Sequence, residues 1–174
     1  MRATFNDPQI QADFERDGFV VILFLNADEV ADLRNVYFNE LGVAPGDPGR
    51  ACISTFHTYD DDYKQAVDDN VRRVFTPHLD EVFDDQRYLP ANYLTKWPGG
   101  MSGFGIHQDL TLVDETRARS CEVWCALEDI DDDRRRLAPG CEDSGEVVHG
   151  RLLAQTLEDF LDELHVLGMH LVVV

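Results

Sequence analysis

Apolar positions follow a helical period through most of the first half of the chain and a strand-like one through most of the second. Ile10 and Phe14 stand four apart behind Pro8, which predicts a short helix over 8–16. Asp17-Gly18 breaks it, and Phe19-Val20-Val21-Ile22-Leu23 is an unbroken β-rich run, hence a buried strand. Asn26, with Glu29 three residues on, reads as a capping box. The helix it opens runs to about Leu41 along Val30, Leu33, Val36 and Tyr37, and Gly42 ends it. Pro45 to Gly49 is a loop, and residues 51–63 fit neither period. A second long helix runs from about Tyr63 to Phe83 along Val67, Val71, Val74 and Phe75. Strands follow at Tyr88 to Trp97, around His107, and at Ser120 to Leu127, with turns at Pro98-Gly99-Gly100 and Pro139-Gly140. Thr156 to Leu164 has a helical face, and Leu171 to Val174 is an apolar β-branched run.

This order predicts a mainly β fold with flanking helices. The architecture is a double-sheet jelly roll, or double-stranded β-helix, with the helices packed outside. We read one domain over 1–174, with a helical part at about 8–85 and barrel strands at about 88–174. The closing apolar run, with nothing polar after it, predicts a barrel incomplete at its C-terminal side.

Charge narrows the partners. With 34 acidic against 15 basic residues, the net charge is -19, which argues against nucleic acid and anionic membrane. No apolar stretch is long enough for a spanning helix, and the first residues lack an apolar signal core, so a cytoplasmic protein is expected. The four cysteines, Cys52, Cys121, Cys125 and Cys141, form no C-x-x-C pair and read as reduced, buried thiols, ahead of a thiolate zinc site.

Candidate chemistry centres on His107-Gln108-Asp109. Side chains alternate along a strand, so His107 and Asp109 share a face. An imidazole and a carboxylate placed so are two-thirds of a 2-His-1-carboxylate site for Fe(II), whose open positions take a cosubstrate and O2. Alone, the tripeptide also suits a surface strand with two polar residues. His57 beside Asp60-Asp61-Asp62 offers a second metal pattern, but a capped turn before the long helix explains it better.

Several motifs in one order resemble the phytanoyl-CoA dioxygenase family of Fe(II)/2-oxoglutarate oxygenases. They begin at Phe14-Glu15-Arg16-Asp17-Gly18-Phe19-Val20-Val21-Ile22 and Phe24-Leu25-Asn26-Ala27-Asp28-Glu29-Val30. They continue through Lys96-Trp97-Pro98-Gly99-Gly100, His107-Gln108-Asp109, Val113-Asp114-Glu115 and Val123-Trp124-Cys125-Ala126-Leu127-Glu128-Asp129. Leu137-Ala138-Pro139-Gly140-Cys141 stands where the family has a Pro-Gly-Ser-His turn.

The resemblance implies iron ligation by His107 and Asp109, and a 2-oxoglutarate pocket lined by Trp124 and, on the preceding strand, Asn92. Core packing is the structural alternative for Trp124, and a hydrogen bond within the sheet for Asn92. The family also needs a later His ligand and an Arg that grips the distal carboxylate of 2-oxoglutarate in two parallel hydrogen bonds. The chain stops at the strand that precedes them, so both are expected to be missing. His170 is the best remaining candidate for the third ligand, ahead of His165 and His149. The expected function is Fe(II)/2-oxoglutarate-dependent hydroxylation of a small organic substrate, impaired by that loss. The alternative is a non-catalytic jelly roll that binds a ligand or self-associates through an exposed sheet edge. Nothing in the residues selects the substrate.

Overall fold

A computed structural model describes residues 3–42, 52–84, 86–96, 114, 120–127, 151–155 and 167–173. For 151–155, 167–173, Cys52 and Lys96 the description extends to the backbone alone. The Thr156–Leu164 helix and the strand around His107 lie outside these residues.

Helix α1 spans Pro8–Asp17. Asp7 caps it by accepting from the Gln9 and Ile10 amides, Pro8 fits the first turn, and Gly18 ends it at φ 79°. Strand β1 is Phe19–Leu23, but it is not the buried strand expected: Val21 and Leu23 are exposed and the other three residues partly buried. Helix α2, Ala27–Asn35, opens with the capping box read from Asn26 and Glu29. The single helix expected to Leu41 instead changes pitch, and Val36–Leu41 is π-helical. That wider turn accompanies the burial of Tyr37, which stacks on Tyr93 at 4.4 Å between ring centroids and shares a 2.7 Å hydrogen bond with Thr95. Strand β2, Cys52–Ser54, precedes helix α3, Asp61–Val82, whose N-cap is Asp60. The Asp60 carboxylate accepts from the Tyr63 amide, so the capping explanation of the acidic run holds for Asp60.

The remaining strands are β3 (Asn92–Lys96), β4 (Cys121–Ala126), β5 (Arg151–Gln155) and β6 (Leu167–Val173). The six described strands form one sheet in the order β1-β5-β4-β6-β3-β2, and each of their pairings is antiparallel. Strands β1 and β2, from the helix-rich first half, therefore close the two edges of the sheet built by the second half.

Alternation divides the sheet into two faces. Ala91, Tyr93, Cys121, Val123 and Cys125 join the core that includes Leu33, Tyr37, Val67, Val71, Phe75 and Leu79. That face packs on the helices. A polar chain crosses it: the buried Asn70 amide donates to the Tyr93 hydroxyl at 2.7 Å, and that hydroxyl donates to the Leu33 carbonyl at 3.1 Å. Burial pushes the Tyr93 phenol well above the ordinary tyrosine range, which keeps it a neutral donor. Asn92 and Trp124 belong to the opposite face.

Candidate site on the far face of the sheet

Register brings three sequence candidates into one row. Asn92 on β3 lies directly opposite His170 on β6, and His170 lies directly opposite Trp124 on β4. Directly opposed residues in antiparallel strands lie on one face, about 4.5–5.5 Å apart at each step. The row continues through Leu153 on β5 to Val21 on β1. Burial is graded along it. Asn92 is 3% and Trp124 9% exposed, whereas Val21 is 41% and its neighbour on the same face, Leu23, 82% exposed.

The row is apolar at Trp124, Leu153 and Val21 and polar at Asn92 and His170. The Asn92 Oδ1 is buried and accepts no hydrogen bond from the described residues. Such an acceptor costs about 1–3 kcal/mol while it is unmet. It can be met by a donor at that point. Alternatively, half a turn of the amide about its last torsion presents Nδ2 there, which donates to a carboxylate. Among the described residues, no hydrogen bond within the sheet meets that oxygen. Trp124 is buried on the face away from the helix-side core.

The backbone on either side of Asn92 is tied down. The Ala91 amide donates to Asp68 Oδ1 at 2.7 Å, and the Tyr93 amide donates to the buried Thr55 Oγ1 at 3.0 Å. Asp68 Oδ2 also receives Arg72 Nε at 2.7 Å, and Arg72 Nη2 donates to the Tyr88 and Leu89 carbonyls at 3.1 and 3.0 Å. Sequence reasoning passed over Thr55, Asp68 and Arg72. The signal for the last two was a carboxylate and a guanidinium four apart on the long helix, next to its apolar stripe.

His107 and Asp109 lie outside the described residues, as do His149 and His165. Among the described residues, no group of three His, Cys, Asp or Glu is placed to hold a metal ion. Among the described residues, the row sets buried Trp124 and the unmet Asn92 Oδ1 on either side of position 170. Among the described residues, no helix is long and apolar enough to cross a membrane.

No family model matches the sequence, and no curated protein matches it. Among solved structures, the chain is similar to the viral collagen prolyl hydroxylase of Paramecium Bursaria Chlorella virus-1, solved as its 2-oxoglutarate complex. The TM-score is 0.50 at 12% identity, over 92% of this chain and 98% of that chain. This is a likeness of fold, to a fold that carries a 2-oxoglutarate-dependent hydroxylase.

Proposed function

We propose that the chain is an Fe(II)/2-oxoglutarate-dependent oxygenase that hydroxylates a small organic substrate. The observation that carries this reading is the unmet Asn92 Oδ1, in one row with position 170 and buried Trp124. The fold likeness to a hydroxylase solved with 2-oxoglutarate supports it, as do the motifs shared with the phytanoyl-CoA dioxygenase family. A jelly roll completed by a second sheet facing this row belongs to the same proposal.

In it, His107, Asp109 and His170 hold the iron. Bound Fe(II) supplies the redox chemistry by which 2-oxoglutarate and O2 become succinate and CO2 while a substrate C–H becomes C–OH. The chain's own residues do the positioning. Trp124 gives the cosubstrate an apolar wall and keeps water from it, and Asn92 offers one directional polar contact in a dry setting, where such a contact is strong. Burial on both sides of position 170 lowers the local dielectric around any charge bound there.

The test is succinate formation from 2-oxoglutarate with Fe(II) and ascorbate, alongside calorimetric binding of 2-oxoglutarate in the presence of Mn(II). The expected result is metal-dependent 2-oxoglutarate binding and turnover, both lost in His107→Ala and Asp109→Ala. A folded protein that neither binds nor turns over 2-oxoglutarate refutes the proposal. A second reading, a non-catalytic domain that self-associates, draws on the exposed Val21 and Leu23 of edge strand β1. Light scattering that finds a concentration-dependent dimer, together with no 2-oxoglutarate binding, would favour it.

A further inference from the structure

We infer that Asp68 and Arg72, on α3 behind the sheet, are positioning residues for Asn92 and set its contact with the cosubstrate. The inference rests on the oxygenase reading above, and it assigns a role to two residues that reach the far face only through the backbone.

Four hydrogen bonds, two within the pair's reach of 88–89 and two at Asp68, lock the approach to β3. Arg72 Nη2 holds the Tyr88 and Leu89 carbonyls, Arg72 Nε holds Asp68, and Asp68 Oδ1 takes the Ala91 amide. Asp68 thus spends one oxygen on the strand and the other on the residue that steadies the strand's approach. The Asp68 side chain is 15% exposed and that of Arg72 30%, so solvent competes poorly for either. Pro90 stands between the two held stretches and donates no backbone hydrogen bond of its own. Without the pair, the chain from Tyr88 to Ala91 keeps its carbonyls and amide but loses their fixed partners. The next residue is Asn92, whose opposite neighbour, Tyr93, is fixed independently by Thr55. Asn92 keeps its ladder pairing with position 170 and the Thr55 anchor at Tyr93, but loses the hold on the flank through which α3 sets its position. An ångström-scale shift of a group that makes one directional contact is enough to weaken that contact severely.

A general packing role would lower stability and leave ligand affinity alone. A positioning role lowers affinity only as long as Asn92 is there to be positioned. The experiment is a double-mutant cycle on the full chain, read as the Kd of 2-oxoglutarate in the presence of Mn(II), with the Mn(II) affinity measured separately. Asp68→Ala is expected to weaken 2-oxoglutarate about tenfold and to leave Mn(II) affinity unchanged. Asp68→Asn, which keeps an acceptor for the Ala91 amide, is expected to restore most of it. Asp68→Ala added to Asn92→Ala is expected to weaken binding no further. Should Asp68→Ala fail to fold, Arg72→Lys carries the test. It keeps the charge, loses the fork that spans two carbonyls and Asp68, and is expected to weaken 2-oxoglutarate about threefold, again only while Asn92 is present. If wild type and Asn92→Ala differ but the α3 variants bind like wild type, or if the effects add, the inference fails while the oxygenase reading stands. If wild type itself does not bind 2-oxoglutarate, both fail.

Discussion

Replacing Asn92 with leucine should stabilise the unliganded protein while abolishing its response to 2-oxoglutarate. Asn92 is 3% exposed and its Oδ1 accepts nothing from the described residues, which leaves a desolvation cost of about 1–3 kcal/mol at this atom in the unliganded fold. Leucine has nearly the same branching and length. It removes the acceptor and adds apolar surface to a row that already holds Trp124, Leu153 and Val21. Loss of whatever the Nδ2 end contributes, and some overpacking, subtract from that gain. A net gain of about 1 kcal/mol is expected, which for a chain of this size raises Tm by about 2–4 °C. Wild type should gain about 2.7 kcal/mol more when 2-oxoglutarate is present at a hundred times its Kd. The leucine variant should gain almost nothing. Thermal unfolding with and without 2-oxoglutarate and Mn(II) measures both effects in one series. A variant destabilised by more than about 1 kcal/mol would mean that Oδ1 has a partner, and an unchanged ligand shift would mean that Asn92 does not face the cosubstrate; either refutes the reasoning.

Other expectations concern the layer behind the site. Tyr93→Phe removes the hydroxyl that accepts from Asn70 and donates to Leu33, stranding buried groups, so denaturant unfolding should show a loss of about 1–3 kcal/mol. Asn26→Ala deletes one half of the capping box on α2 and should cost about 1 kcal/mol in the same assay. Burial pushes the Glu29 carboxyl up, but its hydrogen bonds with the Asn26 amide and His78 outweigh burial and hold it below its ordinary value of 4.5. A depressed carboxylate stabilises the fold above 4.5, and that contribution fades as pH falls through the lower folded value. Glu29→Gln should therefore flatten the acid limb of the stability profile in this window, and an unchanged limb would contradict the assignment.

Local chemistry made much of the fold legible in advance. Strand β1 and the Asn26 cap were readable because both are written in adjacent residues: a β-branched run, and an Asn three positions before a Glu. The bounds of α3 slipped by two residues at its start because Asp61 and Asp62 carry no apolar signal, although they suit a first turn. The π-helical stretch was invisible, since its cause is Tyr37 meeting Tyr93 and Thr95 across more than fifty residues of chain. Strand β5 was missed for a related reason. Arg151–Gln155 is too short to show a period, and it becomes a strand by pairing with β1 on one side and β4 on the other. Motif order placed Trp124 and Asn92 on separate strands, whereas His170 was only the best remaining histidine, just ahead of the strand expected at Leu171 to Val174. Their meeting in one row is a matter of register, which no single stretch of sequence encodes.

The strand order has a kinetic side. Among the described strands, β6 alone joins the group β1-β5-β4 to the group β3-β2. Residues 167–173, the last to leave the ribosome among those described, are thus the ones that weld two separate half-sheets together. Until they dock, positions 92 and 124 belong to different assemblies. The sheet's contacts span most of the chain, as between Phe19 and Gln155, a topology that folds slowly and closes late. A pulse of hydrogen exchange during refolding should find the α3 amides protected well before those of β3 and β4 at the weld.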